Sequence, residues 1–432
     1  MRLRTLCLLI SMFLLSGSLR ACPFCLAPPQ SFSGQLQLCD FAVIAELLTV
    51  QAGTATVPPV SRLRIRHRLT GSSALTTACH IDSGRLTSLP FALEGTAGQL
   101  YVLFGVHGGS AATGLVQTFA RPDDSASPTP AAPPPGSWAT SPFRTKLVSQ
   151  KLTLRIADQC EWTDYLSVSS EVAQYLQNLP SGDLPRKDRL AWFAAFLENP
   201  DPAIAADAWA EFASASWDEV RSTAPLLQRE AVRSWIADPL ISPERLGLYG
   251  LLLGLCGQPA DATFLVQQLN DPETGAFRFG GEGLLAGYLL LTGEDGLKRI
   301  TPWFMSKSAD DTARHALMQC LDFVQADEPQ LTSSETRCSV MRQLAGNSVL
   351  QPTAVMTLAR WQDWDSLSTV EMLFRREFAQ GANPSGSEYL GVSGLQALLE
   401  FTRLCAAAGS EHSAAAAEFL IQAEAMLESK QP

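Results

Sequence analysis

Several features are scarce in this chain of 432 residues, and each scarcity excludes something. Past the N-terminal segment no apolar run reaches the roughly 18 residues that a transmembrane helix needs; residues 246–256 and 284–291 come closest and stop well short. Histidine occurs five times, without an H-x₃₋₅-H pair, and C-x-x-C occurs once, so the paired ligand spacing of a structural zinc site is missing. H-E-x-x-H, G-x-S-x-G and a paired G-x-G-x-x-G are absent, which removes the enzymes those motifs mark. Basic charge is in deficit, with 32 Lys/Arg against 43 Asp/Glu and a net charge of −11. A nucleic-acid partner needs a basic surface to displace counterions, so none is expected. Nothing in these patterns asks for a cofactor.

What is present begins with an export signal. Arg2 and Arg4 precede an apolar run over residues 6–15, too short to span a bilayer and of signal-peptide form. Cleavage after Ala21 would leave Cys22 at the mature N-terminus, and Leu19-Arg20-Ala21-Cys22 has the outline of a lipobox. The expectation is an exported protein, periplasmic or secreted, with a membrane attachment only if Cys22 is lipidated. Its oligomeric state is not encoded in any pattern here.

Of ten cysteines, Cys7 leaves with the signal. Cys22, Cys25, Cys39, Cys79 and Cys160 read as a disulfide framework, as expected in an oxidising compartment, with one of the five left over. Cys256, Cys320, Cys338 and Cys405 stand in apolar helical stretches and read as buried thiols. Cys22-Pro-Phe-Cys25 has the form of a redox pair. No strand precedes it, and Pro28-Pro29 opposes the helix whose N-terminus would lower a thiol pKa. Cys79-His80, with His67, His107 and the pair Cys22 and Cys25, is a candidate zinc set, and it lacks tight spacing on both sides.

Charge and periodicity divide the chain. Residues 22–150 carry eight Lys/Arg and six Asp/Glu, net +2; residues 151–432 carry 21 and 37, net −16. Strand signals fill residues 40–120. Residues 41–46 are an apolar run, residues 61–69 alternate, and residues 99–104 are nearly all apolar before Gly105, Gly108 and Gly109. In the alternating stretch Leu63, Ile65, His67 and Leu69 should face one way and Arg62, Arg64, Arg66 and Arg68 the other. That arginine row is a candidate anion-binding surface, or simply a solvated strand face. Residues 121–142 are rich in Pro, Ser and Ala and read as a linker. Residues 143–165 should return as a last strand tied by Cys160.

From about Ser169 the period becomes helical. Leu190, Phe193, Ala194 and Leu197 share a helix face, and Asp201-Pro202 and Ser242-Pro243 are helix starts. Short helices separated by polar joints, some apolar nearly all round, predict an irregular α-solenoid. Phe279-Gly-Gly-Glu-Gly283 precedes a helix as a phosphate loop does but lacks its Lys-Ser/Thr, so it reads as an inter-helix loop. Trp192, Trp209, Trp235, Trp361 and Trp364 read as core aromatics rather than a ligand groove.

The segment from Asp201 to Ala208 resembles a HEAT-type repeat. Residues 205–213, 245–257 (RLGLYGLLLGLCG), 283–297 (GLLAGYLLLTGEDGL) and 359–364 resemble exported planctomycete proteins with a CPFC start and a HEAT-like body, a family that brings no established activity. The head, on Cys22, Cys25 and Cys39-Asp40 followed by an apolar strand, is similar to netrin/TIMP-like modules, which are OB-type barrels; its start is C-x-x-C where the inhibitors of that kind use C-x-C.

Together these expectations describe an α+β multidomain protein. A signal peptide (1–21) precedes a β-rich NTR/OB-like barrel (22–120), a linker (121–142), a final strand (143–165) and a HEAT-like helical domain (166–432). Its expected role is non-enzymatic: a scaffold that offers a solenoid surface to a protein partner. The alternatives are a protease-inhibitor-like or metal-chelating head with Cys22 at its N-terminus and, after that, a thiol-redox protein using Cys22 and Cys25.

Overall fold

A computed structural model describes residues 30–54, 57–108, 154–157, 160–379 and 394–429. The chain is α+β and divides into two compact units, Pro29–Glu211 and a second unit that takes in Phe212–Pro432. The division falls inside a helix, about 45 residues beyond the change of period.

The first unit is built on one antiparallel sheet. Its strands are β1 (Phe41–Gln51), β2 (Val60–Thr70), β3 (Leu86–Leu89), β4 (Leu100–His107), β5 (Leu154–Ala157) and β6 (Cys160–Val168). They lie in the order β3-β2-β1-β4-β6-β5, and the edges β3 and β5 do not pair with each other. The sheet is therefore open among the described residues, and the barrel closure expected from the strand spacing is not seen.

Five short helices belong to this unit: α1 (Phe32–Gln37), α2 (Ser73–Ala78), α3 (Ser170–Gln177), α4 (Arg186–Phe193) and most of α5 (Pro202–Ala213). Both faces of the central strands are covered, which is why their sequences are apolar almost without alternation. On one face Phe41, Val43, Ala45, Leu47, Leu63, Ile65, Leu103 and Trp162 form a core with Cys79, Ile81 and Leu93. On the other, Ala42, Ile44, Val102 and Phe104 are buried, and α3 lies against β2 and β4. The grouping of α3 to α5 with the sheet rather than with the later helices follows from that second face, which would otherwise be wet.

Local irregularities aim the core side chains. The pairing of β4 with β6 shifts between Phe104 and Gly105, so that Leu103 opposes Tyr165 and Gly105 opposes Trp162. The extra residue, Thr163, lets Trp162 and Tyr165 both serve the same core. Gly105 is required because a Cβ there would collide with the Phe41 ring, which packs edge-on to Trp162 at 5.2 Å. Fully buried Ser61 accepts from Leu93 N–H and donates to the Phe91 carbonyl, both at 2.8 Å, and so pins the segment after β3.

Cys79, which caps α2, is bonded to Cys160, the first residue of β6. Both are fully buried in the core. The bond closes a sequence separation of 81 residues, a loop whose closure entropy corresponds to about 4 kcal/mol.

The second unit is helical: α6 (Trp217–Arg221), α7 (Arg229–Ala237), α8 (Pro243–Cys256), α9 (Pro259–Gln267), α10 (Gly281–Met305), α11 (Asp311–Asp327), α12 (Ser334–Leu344), α13 (Gln351–Arg360), α14 (Leu367–Ala379), α15 (Gly394–Ala407) and α16 (Ser413–Glu428). Helix α10 is broken at Gly293, whose φ of 60° and ψ of −145° are non-helical. Glu294, just past the break, accepts from Ser333 N–H at 2.6 Å and Thr336 Oγ1 at 3.1 Å, and so holds the start of α12.

The tightest contact in this unit joins α8 to the first half of α10. A Cβ on Gly283 would collide with the Gly247 carbonyl, and one on Gly287 with the Gly250 carbonyl. A Cβ on Gly250 would lie 2.5 Å from the Gly283 carbonyl group, and one on Gly254 2.5 Å from Gly287 Cα. Numbers rise together along both helices, so they run side by side in the same direction with backbones touching. Leu246, Leu248, Leu251, Leu284, Leu285 and Leu289 are buried around that seam.

Two outcomes are expected. Replacing Cys79 and Cys160 together by Ala lowers unfolding stability by about 2–5 kcal/mol in urea titrations of the sheet unit's transition. Gly283→Ala or Gly287→Ala costs about 3 kcal/mol through backbone overpacking, whereas Gly182→Ala, which meets only a side-chain atom 3.8 Å away, changes stability by less than about 0.5 kcal/mol.

Candidate functional site

Among the described residues the cysteine framework is realised in one bond, Cys79–Cys160. Cys22 and Cys25 lie outside the described residues. Cys39 has no disulfide partner among the described residues; its thiol donates to the Leu36 carbonyl at 3.4 Å, and burial pushes its pKa up to about 12. A thiol held protonated in this way is a poor nucleophile. Because the Cys79 sulfur is spent in the disulfide, the expected Cys79-His80 metal pair loses its sulfur donor. His80 follows as an exposed residue in left-handed conformation, φ 54°.

The arginine row does not stay on one face. Arg62, Arg64, Arg66 and Arg68 are all exposed, but so is His67, against the expected alternation. The register shifts three times along them, one shift leaving Ile44 opposite His67 and Ala45 opposite Ile65. Arg66, skipped by the pairing, forms an ion pair with Glu46. Arg68 reaches Thr76 on α2 at 2.5 Å. Arg62 and Arg64 are exposed as expected, with no ion pair among the described residues.

The tryptophans are dispersed: Trp209 is buried, whereas Trp192, Trp235, Trp361 and Trp364 are half-buried. Trp192 packs with Tyr175 and Phe196, Trp235 with Tyr249, and Trp364 with Phe401, while Trp361 donates to Asp322 at 3.1 Å.

Two constellations were not anticipated. The first is a buried polar cluster in the sheet unit. Asp207 and Glu211 stand one turn apart on α5, so both point to one side, and both are almost fully buried. Asp207 accepts from Tyr175 Oη at 2.6 Å and from the Phe32 amide at 2.5 Å. Glu211 accepts from Ser31 Oγ at 2.5 Å and pairs with Arg189 at 3.3 Å and Arg186 at 3.6 Å. Burial pushes the Asp207 carboxyl up to about 7, against the two hydrogen bonds that favour its ionised form, with Glu211 adding to the rise. The same burial and the neighbouring Asp207 raise the Tyr175 phenol. Chemically this is a clasp: two carboxylates on one helix grip the first described residues of the chain. A cleft of about 120 Å³ beside it, lined by Phe32, Ser167, Ser169, Val172 and Asp201, has room for little beyond water.

The second constellation sits where α8 and α10 begin. Leu240, in the loop before α8, is 83% exposed, and Phe279, in the loop before α10, is 61% exposed. Arg278 ties these loops together: its guanidinium donates to the Ile236 and Asp238 carbonyls at 3.3 and 3.4 Å and to Gln268 Oε1 at 3.1 Å. Burial lowers its pKa. Gly280, with φ 88°, lies so close to Pro243 that a Cβ would collide with the Pro243 carbonyl. Behind the loops, fully buried Asp261 is gripped by Arg229 at 2.6 and 2.8 Å, by Arg233, and by the Gln258 amide at 2.7 Å. Burial alone would raise its carboxyl; Arg229 and the other donors hold it down to about 2. An aromatic and an aliphatic side chain thus face solvent from loops whose backbone is held by hydrogen bonds.

Sequence carried faint signals of both. In Asp207-Ala-Trp-Ala-Glu211 two acids four apart interrupt an otherwise apolar helix, and Arg186 and Arg189 share the spacing of a facing pair. Phe279 was legible only as part of a glycine loop, and Leu240 as a loop residue like any other.

No family model, no curated protein and no solved structure matches this chain.

The clasp predicts a pH dependence with a definite sign. Asp207 binds its proton more tightly folded than unfolded, so its contribution to stability is greatest below about pH 4 and is lost as pH rises towards 7. Asp207→Asn keeps a carbonyl for the Phe32 amide and removes the titration. The urea midpoint of the variant should fall less than that of the parent between pH 4 and 7.

Proposed function

We propose that this is an exported scaffold protein that binds a protein partner through its helical unit, with Leu240 and Phe279 as the anchor. The observation that carries the reading is the exposure of those two side chains on loops locked by Arg278. A large apolar residue whose loop is already ordered loses little entropy on docking, which is what distinguishes a binding anchor from a mobile surface residue. The disulfide in the sheet unit supports the oxidising compartment that export implies.

In this reading the helices form a HEAT-like stack. The support is local: α8 and α10 lie parallel with α9 between them in sequence, and residues 36 apart, Gly247 and Gly283, meet across the seam. The sheet unit is the OB-like head of the same reading, and its two edge strands are then free ends of an incompletely closed barrel.

A photo-crosslinking residue placed at position 279 in the native host tests the assignment. A discrete crosslinked protein is expected, retained with the probe at position 240 and lost with the probe at position 421, an exposed position on α16. Equal labelling at all three positions, or none at 240 and 279, would remove the anchor.

A further inference from the structure

We propose that Asp365, Glu411 and His412 form a binding site for a divalent transition-metal ion of the zinc class. Their donor atoms all lie within 4.8 Å of one another. His412 Nε2 is 2.8 Å from Asp365 Oδ1 and 3.8 Å from Glu411 Oε1. Zinc–ligand bonds of about 2.0–2.1 Å in a tetrahedron place neighbouring donors about 3.3 Å apart. The two separations bracket that value, so modest rotations about side-chain bonds bring all three atoms onto one ion.

The site draws on two stretches of chain whose backbones are already held. Asp365 belongs to a short 3-10 turn, Trp364–Ser366. That turn is fixed by Trp364 against Phe401 and by fully buried Ser366, which Arg342 contacts at 2.9 Å. Glu411 and His412 immediately precede α16. Their loop is fixed by Ser413, whose hydroxyl donates to the Cys405 carbonyl at 2.8 Å and accepts from the Ser410 amide at 3.0 Å. Pre-ordered ligands of this kind lower the entropic cost of metal capture.

Charge gives an independent argument. Among the described residues neither Asp365 nor Glu411 pairs with a lysine or arginine; the His412 ring is the partner of both. Two carboxylates converging on one imidazole are under-neutralised, even with the partial positive charge at the start of α16. A dication bound to neutral His412 and both carboxylates corrects that. One nitrogen and two oxygens suit Zn²⁺ and its neighbours over Mg²⁺ or Ca²⁺, which prefer all-oxygen sets. Three protein ligands leave a fourth position open to water, and the bound ion would staple the 364–366 turn to the last described helix.

Calorimetric titration of the full, disulfide-bonded chain with ZnCl₂ tests this, beside His412→Ala and Asp365→Asn. Melting in EDTA checks that the variants fold as the parent does; all three positions are at or near the surface, so equal melts are expected. The parent should show a one-to-one site that excess CaCl₂ does not displace, and either substitution should weaken that site at least about tenfold. Zinc should raise the melting temperature of the parent and not of His412→Ala. The proposal is overturned if the parent takes up no zinc, if the variants bind it as the parent does, which would place the metal at thiols elsewhere, or if calcium displaces it.

Discussion

The helical unit depends on one constraint: the backbones of α8 and α10 touch. Gly250 and Gly254 on one side and Gly283 and Gly287 on the other leave no room for a side chain between them, and Gly283 lies directly against Gly247. Glycine is costly inside a helix, by roughly 1 kcal/mol relative to alanine at each position. Five such positions are tolerable only because close approach brings the flanking leucines into full contact and buries them. The same seam sets the positions of the two helix starts. Gly280 lies against Pro243, Arg278 gathers the preceding loop, and Leu240 and Phe279 are left facing solvent from neighbouring segments. What makes the helices pack and what makes the surface apolar are consequences of one arrangement.

The sheet unit solves a different problem. Its edge strands do not pair with each other among the described residues, yet its central strands are buried on both faces. A disulfide lies at the heart of one face, and α3 packs against β2 and β4 on the other. The Asp207–Glu211 clasp then secures the start of the described chain to α5, using charged groups where a purely apolar contact would serve stability as well. Its retention as a polar cluster makes the attachment sensitive to proton concentration in a way a leucine contact would not be.

Much of the fold was legible because it rests on local periodicity. The strands at 41–51, 60–70 and 100–107 and the helix starts at Pro202 and Pro243 fell where apolar spacing and capping residues placed them. The α+β class followed. The exposure of the four arginines was legible, but that of His67 was not, because a bulge is invisible to alternation: Arg66 drops out of the pairing and Arg68 turns to Thr76. The helices up to Glu211 were assigned to the body because periodicity says what an element is and not what it covers. The two glycine-rich stretches, 245–257 and 283–297, stood out in the sequence as runs of similar character. That they pack on each other is a long-range fact that no local pattern contains. The candidate anchor was least legible of all, since an exposed Phe in a loop has meaning only once its backbone is known to be held.

The most direct test of the account is hydrogen exchange on the complex purified from the native host, compared with the same protein after dissociation. Slowed exchange on binding at residues 236–242 and 276–281, with residues 243–256 and 281–292 already strongly protected in the free protein, is the predicted result. Protection gained only in the sheet unit, or a free α8–α10 pair that exchanges rapidly, would contradict it.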